Sequence, residues 1–297
     1  MLEITREIKV DPSVIPPLDD SLLTLSDVER EFLHRAISSD EEELKKKILE
    51  VQKIAYQEHP YPCIRGFHFV ILMMAANPVY PQVLEAGKTG NTVLVDLGCC
   101  MGSDVRKIVA DGYPASNVFG IDLRQEFLDL GYRLYGTDAK GIHFLTSDVF
   151  EVLYPLPEAT SADSPSLDSV TNISQLRGRI THFYTGALFH LFDESTQYAL
   201  ALRVAGLLKR EPGAVVFGRH QGLQEAGMID DHLGRTRYGH SPASWPQLWK
   251  KVFSELESPE FSGTKVVVQA ELTSGFGRQV FQAKKQTNML VWSVRIV

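Results

Sequence analysis

Val93-Leu94-Val95-Asp96-Leu97-Gly98-Cys99-Cys100-Met101-Gly102-Ser103-Asp104 is the stretch on which the reading of this chain turns. Apolar residues lead into an acid, small residues turn the chain, and a helix-like run opens at Ser103. The pattern predicts a buried parallel strand, a tight loop and a helix N-terminus. Gly98 and Gly102 lack a Cβ, so the backbone there can take positive φ and let a ligand come close. The unpaired N–H groups of the helix start would face the same space. Asp96 adds a negative charge at the strand's carboxyl end. A carboxylate beside bare backbone suits a ligand with an amino group and hydroxyls better than one with a pyrophosphate. The spacing agrees. A dinucleotide fingerprint, G-x-G-x-x-G, would need glycine where Cys100 and Ser103 stand, which disfavours an NAD-dependent oxidoreductase.

Two further strands end in acids. Val118-Phe119-Gly120-Ile121-Asp122 repeats the apolar run, and Asp122 follows Gly102 by about 20 residues, where a βαβ unit carries its ribose-binding carboxylate. Such a group can accept hydrogen bonds from both vicinal hydroxyls at once. Ile142-His143-Phe144-Leu145-Thr146 is the third run, with Asp148 just beyond it. Three acids after three successive strands are far more specific than any one alone.

Outward from this centre, a helix is expected from Ser26 or Asp27 through Tyr56, with a break near Ser38-Ser39-Asp40. An apolar helical segment is expected over Phe67–Ala76 and a shorter one over Pro78–Ala86. Helices over about 103–111 and 125–135 separate the first three strands. Residues 1–25, with Pro12, Pro16 and Pro17, read as an extended arm, and 155–178 as a surface loop with a short helix near Ser166–Leu176. A fourth strand spans Arg179–Tyr184. A helix capped by Asp193 or Ser195 runs to Leu208, and a fifth strand covers Ala214–Gly218, closed by Arg219-His220-Gln221-Gly222. Trp245–Phe253 is amphipathic and helical, and Lys265–Leu272 with Met289–Val297 has the alternation of an antiparallel pair.

Asp-x-Gly-x-x-x-Gly at Asp96–Gly102 resembles the first motif of class I S-adenosylmethionine-dependent methyltransferases, with Cys100 in the place of the middle glycine. Tyr61-Pro62-Cys63-Ile64 and Phe189-His190-Leu191-Phe192-Asp193 give a nearer resemblance to fungal secondary-metabolite O-methyltransferases of the meroterpenoid type. The resemblance implies an α/β, Rossmann-like sheet of seven strands, five parallel plus a C-terminal antiparallel pair, over residues 90–297. Residues 1–89 would form an arm and helical extension acting as a lid. It implies S-adenosylmethionine as cofactor, held by Asp96, Gly98, Cys99 and Gly102, by Asp122 and Leu123, by Asp148, Val149 and Phe150 around the adenine, and by Thr185. Tyr61, Arg65 and Phe67 are lid and substrate-side candidates.

Methyl transfer is an in-line displacement that needs alignment in a dry pocket more than covalent help. Aromatic side chains near a sulfonium are favoured, and Tyr184, Phe189 and Phe192 are placed for that, as well as for ordinary packing. A carboxylate nucleophile is already ionised at neutral pH, whereas a phenol gains from a general base. His190 and His220 are the candidate base or positioner, and Arg219 is a candidate bidentate partner for a carboxylate. His182, mid-strand, is expected to be packed, and the cysteines to serve as small apolar residues. A nucleoside-binding module without transfer activity is the alternative, because this chemistry has no obligatory catalytic residue.

Composition limits the partners. Against 30 basic residues stand 37 acidic ones, a net charge of −7, which gives a nucleic-acid partner no electrostatic support. The 44% hydrophobic content suits an ordinary globular core. No apolar run reaches spanning length and the N-terminus lacks a signal-like core, so no membrane partner is expected. Three cysteines without C-x-x-C spacing point to a reducing, cytoplasmic setting and to no metal site. A small-molecule substrate is expected, with a homodimer through the N-terminal helices as the assembly to test.

Overall fold

A computed structural model describes residues 15–137, 141–155, 165–229, 236–273 and 288–297. The beginning of the expected N-terminal arm and part of the 155–178 loop lie outside these residues. Leu94–Leu97 forms β1, Val118–Asp122 β2 and His143–Thr146 β3. β1 and β2 are buried at every position, as continuous apolar runs must be when helices cover both faces of a parallel sheet. β1 pairs in parallel with β2, setting Asp96 opposite Gly120, and β2 pairs in parallel with β3, setting Asp122 opposite Thr146.

His182–Gly186 is β4 and Val215–Gly222 is β5, again a parallel pair. A two-stranded ribbon of β6, Gly227–Ile229, and β7, Arg237–Gly239, follows. The last strands, β8 (Val266–Thr273) and β9 (Asn288–Ile296), run antiparallel, and β9 also pairs antiparallel with β5. The sheet order is β3-β2-β1-β4-β5-β9-β8, the seven-stranded Rossmann-like arrangement that the sequence implied.

The helices begin where short polar side chains can cap them. Ser26 and Glu29 form a reciprocal capping box at α1 (Asp27–Ala36), and Asp40 accepts from Glu43 N–H at α2 (Glu41–Glu58). The expected break near Ser38-Ser39-Asp40 therefore falls between two helices. The short α3 (Pro62–Arg65) and α4 (Tyr80–Gly87) precede β1. Then come α5 (Ser103–Ala110), α6 (Gln125–Tyr135), α7 (Glu194–Leu207, capped by Asp193), α8 (Ser244–Leu256) and α9 (Pro259–Lys265).

Four expectations need correction. Phe67–Ala76 is not a helix: Phe67 is left-handed at φ 59°, a 3-10 turn covers His68–Val70, and the chain then extends. The amides beyond it are satisfied by distant carboxylates, Leu72 N–H by Glu29 Oε1 at 3.3 Å and Met74 N–H by Asp104 Oδ1 at 2.9 Å. Local helical partners are thus not needed. Ser166–Leu176 holds two 3-10 turns rather than a short helix, Leu167–Ser169 and Ile173–Leu176. The fourth strand starts at His182, and only an isolated bridge at Ile180 precedes it. The fifth continues to Gly222, because β9 pairs with it through Gly222 opposite Asn288, so Arg219 and His220 are strand residues.

Chain contacts group into two compact units. One comprises the described residues of Leu18–Asp148 and of Ser161–Leu176; the other comprises the described residues of Met1–Pro17, of Val149–Thr160 and of Arg177–Val297.

Candidate nucleoside and acceptor sites

In the first unit the loop after β1 is sewn to the end of β2. Gly98 N–H and Cys99 N–H both donate to Ile121 O, at 2.7 and 3.1 Å, and Gly102 N–H donates to Cys99 O at 2.8 Å. Gly98 has φ +81°, and a Cβ added there would meet nothing within 4 Å. Its bare backbone borders open space, as a ligand cradle requires. Gly102 has another reason to be glycine. At φ +75° it starts α5, and a Cβ there would lie 2.6 Å from both Arg106 and Phe144.

Asp122 organises this loop. Its carboxylate accepts from Cys100 N–H at 2.8 Å and from Arg124 N–H at 3.0 Å. Burial raises its pKa, and those amides, with that of Leu123, work the other way. A carboxylate offers about four acceptor positions, so capacity remains for ligand hydroxyls. Cys100 sits at φ 52°, a left-handed conformation unusual for a side chain larger than glycine. Here the hydrogen bond to Asp122 holds it. Leu123, beside Asp122, is 47% exposed, a large apolar side chain free to lie on a flat ring.

Asp96 is buried, yet its carboxylate makes no hydrogen bond among the described residues. Burial, then Asp104 and Asp122, push its pKa well above the carboxylate range. A cationic group beside it would relieve all three effects. Asp148 follows β3, and the preceding Ser147 N–H donates to Asp122 O at 3.0 Å. The three acids thus lie at or just past the carboxyl ends of three adjacent parallel strands. The Cys99 thiol is buried and its pKa raised, chiefly by desolvation, which keeps it protonated.

Arg106 and Tyr135 support the loop from behind, roles that no local sequence pattern marks. Arg106 Nη1 donates to Met101 O at 2.8 Å and Gly102 O at 3.1 Å, while its guanidinium stacks over Tyr135 at 4.5 Å and Phe144 at 4.7 Å. Ser103 Oγ donates to Phe69 O and meets Tyr135 Oη at 2.6 Å. With the bond from Met74 N–H to Asp104, this ties residues 69–74 to the first turn of α5. Tyr61 stacks on His59 at 5.5 Å, both rings set edge-on to Phe127. Arg65 ends α3, its carbonyl accepting from Gln52 Nε2 at 2.9 Å.

The second unit carries the remaining candidates. Thr185, at the end of β4, and Val149 are buried, and Phe150 lies edge-on to Phe192 at 5.6 Å under the Arg203 guanidinium. Ala187, just past β4, is left-handed at φ 59°, its N–H bonded to Arg219 O at 2.8 Å. Strain of this kind is held where surrounding structure over-determines it, often beside functional groups. Tyr184 packs on Phe217 at 5.1 Å. His190, Arg219 and His220 are all buried. His182 is packed, its pKa lowered to about 4 by burial. Phe189 lies in a cluster with His220, Trp245, Trp249 and Trp292. Reading the sequence only for a helix at Trp245–Phe253 misses this cluster; the aromatic spacing of Trp245, Trp249 and Phe253 was the available signal. Among the described residues, no group of His, Cys, Asp and Glu is arranged to hold a metal ion, and no helix is long and apolar enough to cross a membrane.

An open α/β sheet with an acid-lined, glycine-bearing loop after its first strand defines a nucleoside-cofactor class of protein. The sequence profile of the meroterpenoid methyltransferase N-terminal domain matches residues 18–70. The asnovolin E/chermesin D methyltransferase nvfJ of Aspergillus novofumigatus is 30% identical over 236 residues, covering 79% of each chain. O-methyltransferase phiE of a fungal species (strain ATCC 74256) is 32% identical over 208 residues, 69% of this chain and 64% of that relative's length. Among solved structures, the 1,6-didemethyltoxoflavin-N1-methyltransferase of Burkholderia thailandensis aligns with a TM-score of 0.48 at 13% identity, covering 84% of this chain and 88% of the other. The chain belongs to the fungal secondary-metabolite methyltransferase family.

Proposed function

We propose that this enzyme transfers a methyl group from S-adenosylmethionine to an oxygen, carboxylate or phenolic, of a small and largely apolar metabolite. The observation that carries the reading is the open backbone at Gly98, between the strand-end acids Asp96 and Asp122, with Asp148 just past the end of β3. The donor set fits the cofactor. Asp122 would take the ribose hydroxyls, Asp96 the amino group that its buried charge lacks, Asp148 the adenine amine, and Leu123 would cover the ring. When bound, the cofactor would supply an electrophilic methyl group. The protein's own work is to hold the acceptor in line and keep water out. One relative is named an O-methyltransferase and another an asnovolin E/chermesin D methyltransferase, which supports a small-molecule acceptor.

Calorimetric titration with S-adenosylhomocysteine tests the cofactor assignment, and no heat at millimolar ligand would end it. Asp122→Ala should weaken that binding by about 1.5–3 kcal/mol, the cost of losing hydrogen bonds to a charged group. Tight binding with no product across a panel of acids and phenols would instead favour a binding module without transfer. A homodimer through the N-terminal helices and a cytoplasmic location complete the proposal; sedimentation and a fluorescent fusion test them.

A further inference from the structure

Two histidines and three large aromatic side chains gather around β5 in the second unit. Between ring centres, Trp245 lies 4.5 Å from His220, 5.1 Å from His240 and 5.0 Å from Trp292. Phe189 closes the group, 5.9 Å from His220 and 4.9 Å from Trp245. His220 and Trp245 are 0% exposed. Trp292 Nε1–H donates to His220 Nδ1 at 2.9 Å. An indole N–H can only donate, so Nδ1 must be the bare nitrogen. A neutral His220 therefore carries its proton on Nε2.

Burial, then neighbouring His240, drives His220 well below the histidine range, and His240 itself is lowered to about 4 by burial. Both rings are uncharged at neutral pH. The ring geometry of imidazole turns Nε2–H away from Trp292. Among the described residues it finds no acceptor, and neither does Trp245 Nε1–H. Buried donors are nearly always satisfied in native proteins. Two adjacent ones without an acceptor call for an oxygen from elsewhere.

We propose that His220 is a neutral hydrogen-bond donor to the acceptor oxygen, with Trp245 Nε1–H as its companion and Trp292 as the positioning residue that fixes the tautomer. The proposal rests on the O-methyltransferase reading and, of the two roles expected for His220, takes positioner over base. A base must aim a lone pair at its substrate, and the lone pair of His220 is spent on Trp292. No proton passes through this ring. A neutral donor can orient an ionised oxygen without protonating it, so the nucleophile keeps its reactivity.

Long-range 1H–15N spectra of the histidine-labelled full chain test the tautomer directly. The signal absent from His220→Gln should show a bare Nδ1 and a protonated Nε2, unchanged from pH 5.5 to 8.5. Trp292→Phe should convert it to a mixture of the two neutral tautomers. Benzoate, added with S-adenosylhomocysteine bound, is the probe for the donor role. The Nε2–H proton should shift downfield, His220→Phe should weaken benzoate ~10- to 100-fold, and His220→Gln should recover part of that loss. Affinity for S-adenosylhomocysteine should stay unchanged in all three variants. A protonated Nδ1 overturns the proposal. So does a silent Nε2–H at 50 mM benzoate, or a buried water bridging His220 and Trp245 with benzoate bound elsewhere. Failure of S-adenosylhomocysteine to bind would strike the cofactor reading and leave the tautomer result standing.

Discussion

Asp96 shows how a residue proposed to bind a ligand can cost stability. A carboxylate buried without a hydrogen bond, facing Asp104 and Asp122, is held above its ordinary pKa. Such a group favours folding below about pH 4 and loses that contribution as pH rises through its folded pKa. At neutral pH it is a burden. Asp96→Asn should therefore raise the melting temperature of the ligand-free protein at pH 7.5, while weakening S-adenosylhomocysteine. Differential scanning fluorimetry with and without ligand reads both effects; a lower melting temperature without ligand would refute the account. The buried histidines have the opposite sign. His182 and His240, lowered to about 4 from 6.5, stabilise the neutral protein, and that contribution is lost as pH falls from about 6.5 towards 4. Each shift corresponds to roughly 3 kcal/mol. Urea midpoints across that window should fall, and less so in His182→Phe.

At the scale of elements, the turn from β1 into α5 is held from three sides: by Ile121 O and the Asp122 carboxylate of β2, by Arg106 within α5, and by residues 69–74. Arg106→Met keeps much of the stem but removes the donors to Met101 O and Gly102 O. It should lower stability by about 1–3 kcal/mol and weaken the cofactor, read by denaturation and calorimetry. Ser103→Ala removes the tie to Phe69 O and should speed amide exchange in residues 67–76 without changing that of β1 and β2.

This element also marks where sequence reading stops. The strands with their terminal acids were legible because period and charge are local signals. Residues 67–76 were misread because their apolar composition fits a helix as well as an extended run. What decided between them were carboxylates far along the chain, Glu29 and Asp104. Arg106 and Tyr135 were illegible for the same reason, since each acts on a partner that only the fold brings near.

Over the whole molecule, the apolar runs of β1 and β2 are buried at every position, and β9 adds what those runs do not carry. By pairing with β5 from Val215 to Gly222 it turns Arg219 and His220 from expected loop residues into buried strand residues. Register was the missing information, because a strand's end is set by its partner's length as much as by its own residues. The ribbon of β6 and β7 escaped notice for a simpler reason: three-residue strands carry too little pattern to detect.

Gly98 offers a use beyond explaining the loop. Because its missing side chain would point into emptiness, Gly98→Ala should cost only the strain of an alanine at φ +81°, about 1–2 kcal/mol, and leave the sheet intact. That one methyl group would nonetheless occupy the spot where the proposed cofactor would rest. The result should be an inert twin of the enzyme, folded and able to be crystallised but deaf to its cofactor. It would serve as the blank against which every other variant is judged.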